Sequence, residues 1–191
     1  VLVTATVALV PLIVWALSGY RLTMETIESE HVLRTSQLIS NSWRSVSLFL
    51  TERRSVLDFI AHDNELKTLK DPARLAAILE NLNERFGGFT DLGVIDSGGN
   101  QIAHAGSHQM EGLDYNHLPW FREVVNRGAY ISELVTGARN QPHVDFAVKR
   151  ELPEGSFFVL HAVLQPQQLT ESIAQIDVGA KGDLFIINDQ G

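Results

Sequence analysis

Apolar residues recur along this chain at three different intervals, and each interval predicts a different kind of element. VLVTATVALVPLIVWAL, from Val1 to Leu17, carries no charge and is apolar all round instead of along one stripe. Its length approaches the roughly 20 residues that span a bilayer core, Trp15 and Tyr20 suit an interface, and Arg21 closes the span. Residues 1–21 are therefore expected to form a transmembrane anchor. From Leu22 to about His62 no Pro or Gly interrupts the chain. Val32, Ile39, Trp43, Val46, Leu50, Leu57 and Ile60 follow at alternating steps of four and three, with Ser36 and Arg53 filling two gaps. This spacing predicts a long helix leaving the membrane over 22–70, its narrow seam shared between the domain's own sheet and the same helix of a second subunit.

A second helix is marked by Asp71 as N-cap and Pro72 at the first helical position, with Leu75, Ile78, Leu79, Leu82 and Phe86 on its buried face and Gly87-Gly88 as its stop. From Phe89 the interval changes to two. FTDLGVID, the turn SGGN and QIAHA read as a hairpin, and LPWFREVVNR as a short helix from Pro119 ending at Gly128. AYISELV, PHVDFAVKR and SFFVLHAVL are three further strands, the last two joined by a turn at Pro153 to Gly155. The order predicts an α+β module over 71–176, with an antiparallel sheet of about five strands flanked by helices. Its last piece is a helical stretch around Leu169 to Ile176. LFIINDQG then repeats the strand-into-turn pattern of LGVIDSGGN, so 177–191 reads as the start of a second, truncated module.

Composition narrows the function. The net charge is -8 and the Lys and Arg residues are dispersed, which excludes a basic stripe for nucleic acid. There is no cysteine, no GxSxG and no HExxH, so neither nucleophilic catalysis nor a helical zinc site is indicated, no cofactor is expected, and this segment is not expected to be an enzyme. Seven histidines keep a metal-binding module open, with three convergent ligands drawn from His104, His143, Asp145 and His161. Alternation sets His143, Asp145 and Ala147 on one strand face against Val144, Phe146 and Val148. It sets His161 with Phe157, Val159 and Val163, and lines His104 up with Ile102. Each group has a plainer reading, as solvated strand face, core-edge histidine or aromatic core anchor. If the aromatics are all core, the chain is an interaction or dimerisation module. Their convergence instead predicts a pocket with Trp120 and Phe121 in its walls and His104, His143, Asp145 and His161 as its polar groups.

The succession GLDYNHLPWF, YISELVTG, QPHVDFAVKR and FFVLHAVL, after an anchor and a long helix, resembles the double Cache (dCache, PAS-like) sensor domains of bacterial membrane receptors, most of all those heading sensor histidine kinases. The resemblance implies a periplasmic sensor, held in the inner membrane and extracytoplasmic beyond about residue 21. Its distal module would capture a small molecule between the sheet and the short helix and loops carrying Tyr115, Trp120, Phe121 and Tyr130, and would signal along the long helix, in a homodimer, to a cytoplasmic output domain. A chemoreceptor or a diguanylate cyclase could share the same sensor. In the amino-acid-binding branch of that family an Arg precedes the paired Trp-aromatic by two residues and an acid lies on the last strand. Here Leu118 holds the first place and FFVLHAVL has no acid. An ordinary α-amino acid is therefore not implied, and Arg139, His143 and His161 suit a small polar metabolite such as an organic acid.

Overall fold

A computed structural model describes residues 43–107, 113–136 and 142–167. The chain divides into two compact units, Val1–Arg44 and Ser45–Gly191, and apart from Trp43 and Arg44 the described residues belong to the second. The expected anchor over 1–21, the helical piece near 169–176 and the strand and turn over 177–191 lie outside the described residues. Among the described residues no helix is long and apolar enough to cross a membrane.

Helix α1 covers residues 43–63, α2 is the single turn Leu66–Leu69, and α3 is Pro72–Phe86. The start of α3 follows from its sequence. The Asp71 carboxylate accepts the backbone N–H groups of Ala73 and Arg74 at 2.9 and 3.4 Å, satisfying donors that a helix start leaves without partners. At its other end the Asn83 side chain clamps Phe89, accepting its N–H at 2.9 Å and donating to its carbonyl at 2.7 Å, which fixes the passage from helix to sheet.

The seam of α1 differs from the expected one. Trp43 is 73% exposed, whereas Arg53, a gap in the apolar pattern, is buried beside Phe49, Leu57 and Ala61. Its Nη2 donates to the Phe86 carbonyl at 2.9 Å and its Nη1 to Glu52 at 2.7 Å, with the guanidinium 4.2 Å from the Phe49 ring centroid. Phe86 is the last residue of α3, so this cation caps the negative end of that helix while its stem packs as an aliphatic chain. From Val46 to Ile60 the domain's own core covers the seam.

The strands are β1 (Phe89–Asp96), β2 (Gln101–Gly106), β3 (Ala129–Ile131), β4 (Val135–Thr136), β5 (Pro142–Glu151) and β6 (Phe157–Leu164), with helix α4 (Pro119–Arg127) before β3. They form one antiparallel sheet in the order β2-β1-β6-β5-β3, with β4 also paired to β5. That is one strand more than expected, because AYISELV divides at Ser132. The Ser132 hydroxyl accepts the Asp145 N–H at 2.8 Å and donates to the Glu133 carbonyl at 2.6 Å, a side chain competing with the backbone ladder. Register sorts the two faces. Leu92, Val94, Val144, Phe146, Val148, Leu160, Ala162 and Leu164 share the main core with Leu57, Leu75 and Leu82 of α1 and α3. Ile95, Ala147 and Val159 face the other way, into a smaller cluster closed by Phe121 and Val124 of α4.

Candidate ligand-binding site

The smaller cluster is built on one row of the sheet. Register pairs His104 with Gly93, Gly93 with His161, His161 with Ala147 and Ala147 with Tyr130, so large and small side chains alternate across five strands. α4 delivers the rings that fill the gaps. Pro119 opens it, and at its end the N–H of Gly128, whose φ is 83°, donates to the Val124 carbonyl at 2.8 Å. In its first turn Trp120 stacks with His161, centroids 5.2 Å apart and planes 22° apart, and with Tyr130 at 6.2 Å and 27°. Tyr115 and Phe121 meet the indole edge-on at 5.3 and 6.0 Å, the geometry that ring quadrupoles favour. Ala147, small and between His161 and Tyr130 in register, leaves the indole its room.

Gly93 leaves a comparable gap on the other side of His161. A Cβ there would stand 3.2 Å from Gln101 Nε2, so the carboxamide occupies the space the glycine leaves. Gln101 Oε1 accepts the Tyr115 hydroxyl at 2.6 Å, and the Tyr115 ring lies 6.1 Å from that of His161. Two carboxylates orient the imidazoles. His161 Nε2–H donates to Asp145 Oδ1 at 3.1 Å, and His143 Nε2 lies 3.7 Å from Asp145 Oδ2. His104 Nε2–H donates to Asp91 Oδ1 at 3.2 Å, both side chains almost fully buried. A carboxylate on Nε2 places the proton of the neutral ring there and leaves Nδ1 as an acceptor. Burial, and then the charges of Glu123, Asp145 and Glu133, push the Tyr130 phenol above its usual pKa.

Tyr115, Trp120, Phe121, Tyr130 and His161 thus come together, and Asp145 and His143 join them through His161. His104 shares their face but stands beyond Gly93 and is tied to Asp91. Arg139 lies outside the described residues. Among the described residues no group of three or more His, Asp or Glu has the geometry to hold a metal ion. Sequence reasoning missed Asp91, Gly93, Gln101 and Ala147. Asp91 was within reach, since it alternates with Gly93 and Ile95. Gln101 was not: a bulge between Val94 and Ile95 pairs Gln101 with Ile95, where unbroken alternation had put Ile102 with His104. Two clefts open beside these groups. One of about 410 Å³ borders the smaller cluster, lined by Phe121, Val125 and Phe157 with Ser97, Asn116 and Arg122, and another of about 330 Å³ is lined in part by Arg54, Asp58 and Lys149; neither is lined by a histidine or by Trp120.

No family model matches the chain, and no curated protein does. Solved structures do. The ligand-binding domain of the Campylobacter jejuni chemoreceptor Tlp3 in complex with L-valine is 13% identical, with a TM-score of 0.55 over 73% of this chain and 62% of that one. The extracellular domain of vpHK1S-Z8, described as a histidine kinase, is 8% identical, with a TM-score of 0.57 over 72% of this chain and 58% of that one. The E. coli DcuS sensor domain is 12% identical, with a TM-score of 0.53 over 69% of this chain and 99% of that one. The chain therefore spans about six-tenths of the chemoreceptor and histidine-kinase domains and nearly all of the DcuS domain. Its fold is the PAS-like fold of Cache-type extracellular sensor domains.

Proposed function

We propose that this chain is the extracytoplasmic small-molecule sensor of a membrane-bound receptor, of the sensor histidine kinase type, anchored in the inner membrane by residues 1–21. Ligand occupancy passes through α1 to a cytoplasmic output domain outside these residues. The observation that carries the reading is the separation of the two sheet faces. One carries the main apolar core and is closed by α1 and α3. The other gathers Trp120, Tyr115 and Tyr130 around His161, Asp145 and His143, the mixture of apolar wall and few placed polar groups that small-molecule sites use. Signalling requires only that the ligand prefer one arrangement of α4 and sheet over another. The same sensor on a chemoreceptor is the second reading, favoured by the Tlp3 likeness.

Thermal melting of the whole chain in mild detergent, against a panel of amino acids, organic acids and amines, tests the reading. At least one compound raises the midpoint by about 5 °C at a hundredfold excess over Kd, and Asp145→Asn or His161→Ala removes the rise. A panel without effect, or an effect indifferent to both substitutions, would refute it.

A further inference from the structure

The place at the centre of the site already has an occupant, and it belongs to the chain. Trp120 is boxed by four rings, His161 and Tyr130 along its faces and Tyr115 and Phe121 at its edges. Three walls of this box are held from behind. His161 is tied to Asp145, the Tyr115 hydroxyl to Gln101, and Phe121 is buried. The occupant is held less firmly. Trp120 is only half-buried, and no described residue accepts a hydrogen bond from its indole N–H. It is the second residue of a helix whose N-cap, Leu118, offers no side-chain bond. Phe121 and Val124 anchor α4 on the sheet independently of it.

Resting on the sensor reading above, we propose that the box around Trp120 is the ligand's seat, and that the ligand carries a flat aromatic or heteroaromatic ring that displaces the indole. The slit between His161 and Tyr130 now holds a planar ring system nearly parallel to both, and its floor is a single methyl group, that of Ala147, between them in register. A plane fits such a slit, and a branched aliphatic chain makes no stacking contact there. Ala147 then determines specificity by its size. Release of Trp120 frees the first turn of α4, which couples occupancy to that helix. The resident indole acts as an internal competitor, so apparent affinity is lowered by the fraction of time it is seated.

The test uses the full 191-residue chain in mild detergent with Trp15→Phe and Trp43→Phe, which leaves Trp120 as the sole tryptophan. The probes are adenine and indole, against L-valine and succinate. Adenine binding, followed by calorimetry, is expected to shift Trp120 emission to the red as the indole enters water. Trp120→Ala is expected to tighten adenine and indole binding about tenfold, and Ala147→Leu to abolish it. Should Trp120→Ala not fold, Trp120→Phe, a smaller occupant, gives a lesser tightening. Binding of valine or succinate with unchanged emission overturns the proposal and leaves the sensor reading standing. Failure of both flat probes on the parent and on the Trp120 variants overturns it as well. The sensor reading goes with it when the whole amino-acid, organic-acid and amine panel is silent too, or when its effect is indifferent to Asp145→Asn and His161→Ala.

Discussion

The Tyr130 phenol stands where burial and three carboxylates oppose its ionisation. Unfolded, it titrates near its ordinary value of 10.0; folded, it keeps its proton to higher pH. Over that interval the folded chain binds more protons than the unfolded one. Stability contributed here is complete below pH 10 and is lost as pH rises through the folded pKa. The melting midpoint should therefore fall more steeply above pH 10 in the parent than in Tyr130→Phe, and equal slopes in circular-dichroism melts would exclude the effect. At this scale period-two alternation was enough to turn His143, Asp145 and His161 toward one another, because a strand's side chains have only two directions to take. Gly93 and Ala147 gave no such signal. Their contribution is the volume they leave open, and that acquires meaning only when register sets them between large neighbours.

Among the elements, α1 and α3 are joined by Arg53, a charge where the apolar pattern has a gap. Its side chain contributes a hydrogen bond to the Phe86 carbonyl and contact with the Phe49 and Phe86 rings. Arg53→Ala removes both and should cost about 2 kcal/mol or more. Arg53→Met keeps the packing, needs no partner for a buried guanidinium, and should cost clearly less. Urea unfolding separates the cases, and equal losses would mean that the hydrogen bond, not the packing, joins the helices. Helix ends and strand cores were legible because they depend on local chemistry, as with Asp71 and Pro72 at α3 or Pro119 and Gly128 at α4. The bulge in the first hairpin and the break at Ser132 were not, since each depends on a partner strand far along the chain.

For the molecule as a whole, the question that periodicity left open was which side of α1 meets the domain and which side remains for a partner. Both sides carry large apolar residues, so counting them could not decide; only packing against α3 and the sheet does. The seam through Leu50, Leu57 and Ile60 turns inward, and Leu48 and Phe59 are left 64% and 65% exposed, three helical turns apart and so on one face. Two bulky apolar side chains aligned on one exposed helix face are suited to the same helix of a second copy. The full chain in detergent is accordingly expected to self-associate. Leu48→Asp with Phe59→Asp should weaken that association about tenfold or more, since central apolar anchors dominate such contacts. The intrinsic stability of the fold should change by only about 0.5 kcal/mol, because neither side chain belongs to the core. Sedimentation equilibrium across a concentration series reads the first, and urea unfolding of the dilute, dissociated chain reads the second. A parent chain that stays monomeric throughout would leave Leu48 and Phe59 as solvated residues and remove α1 as the dimer's axis.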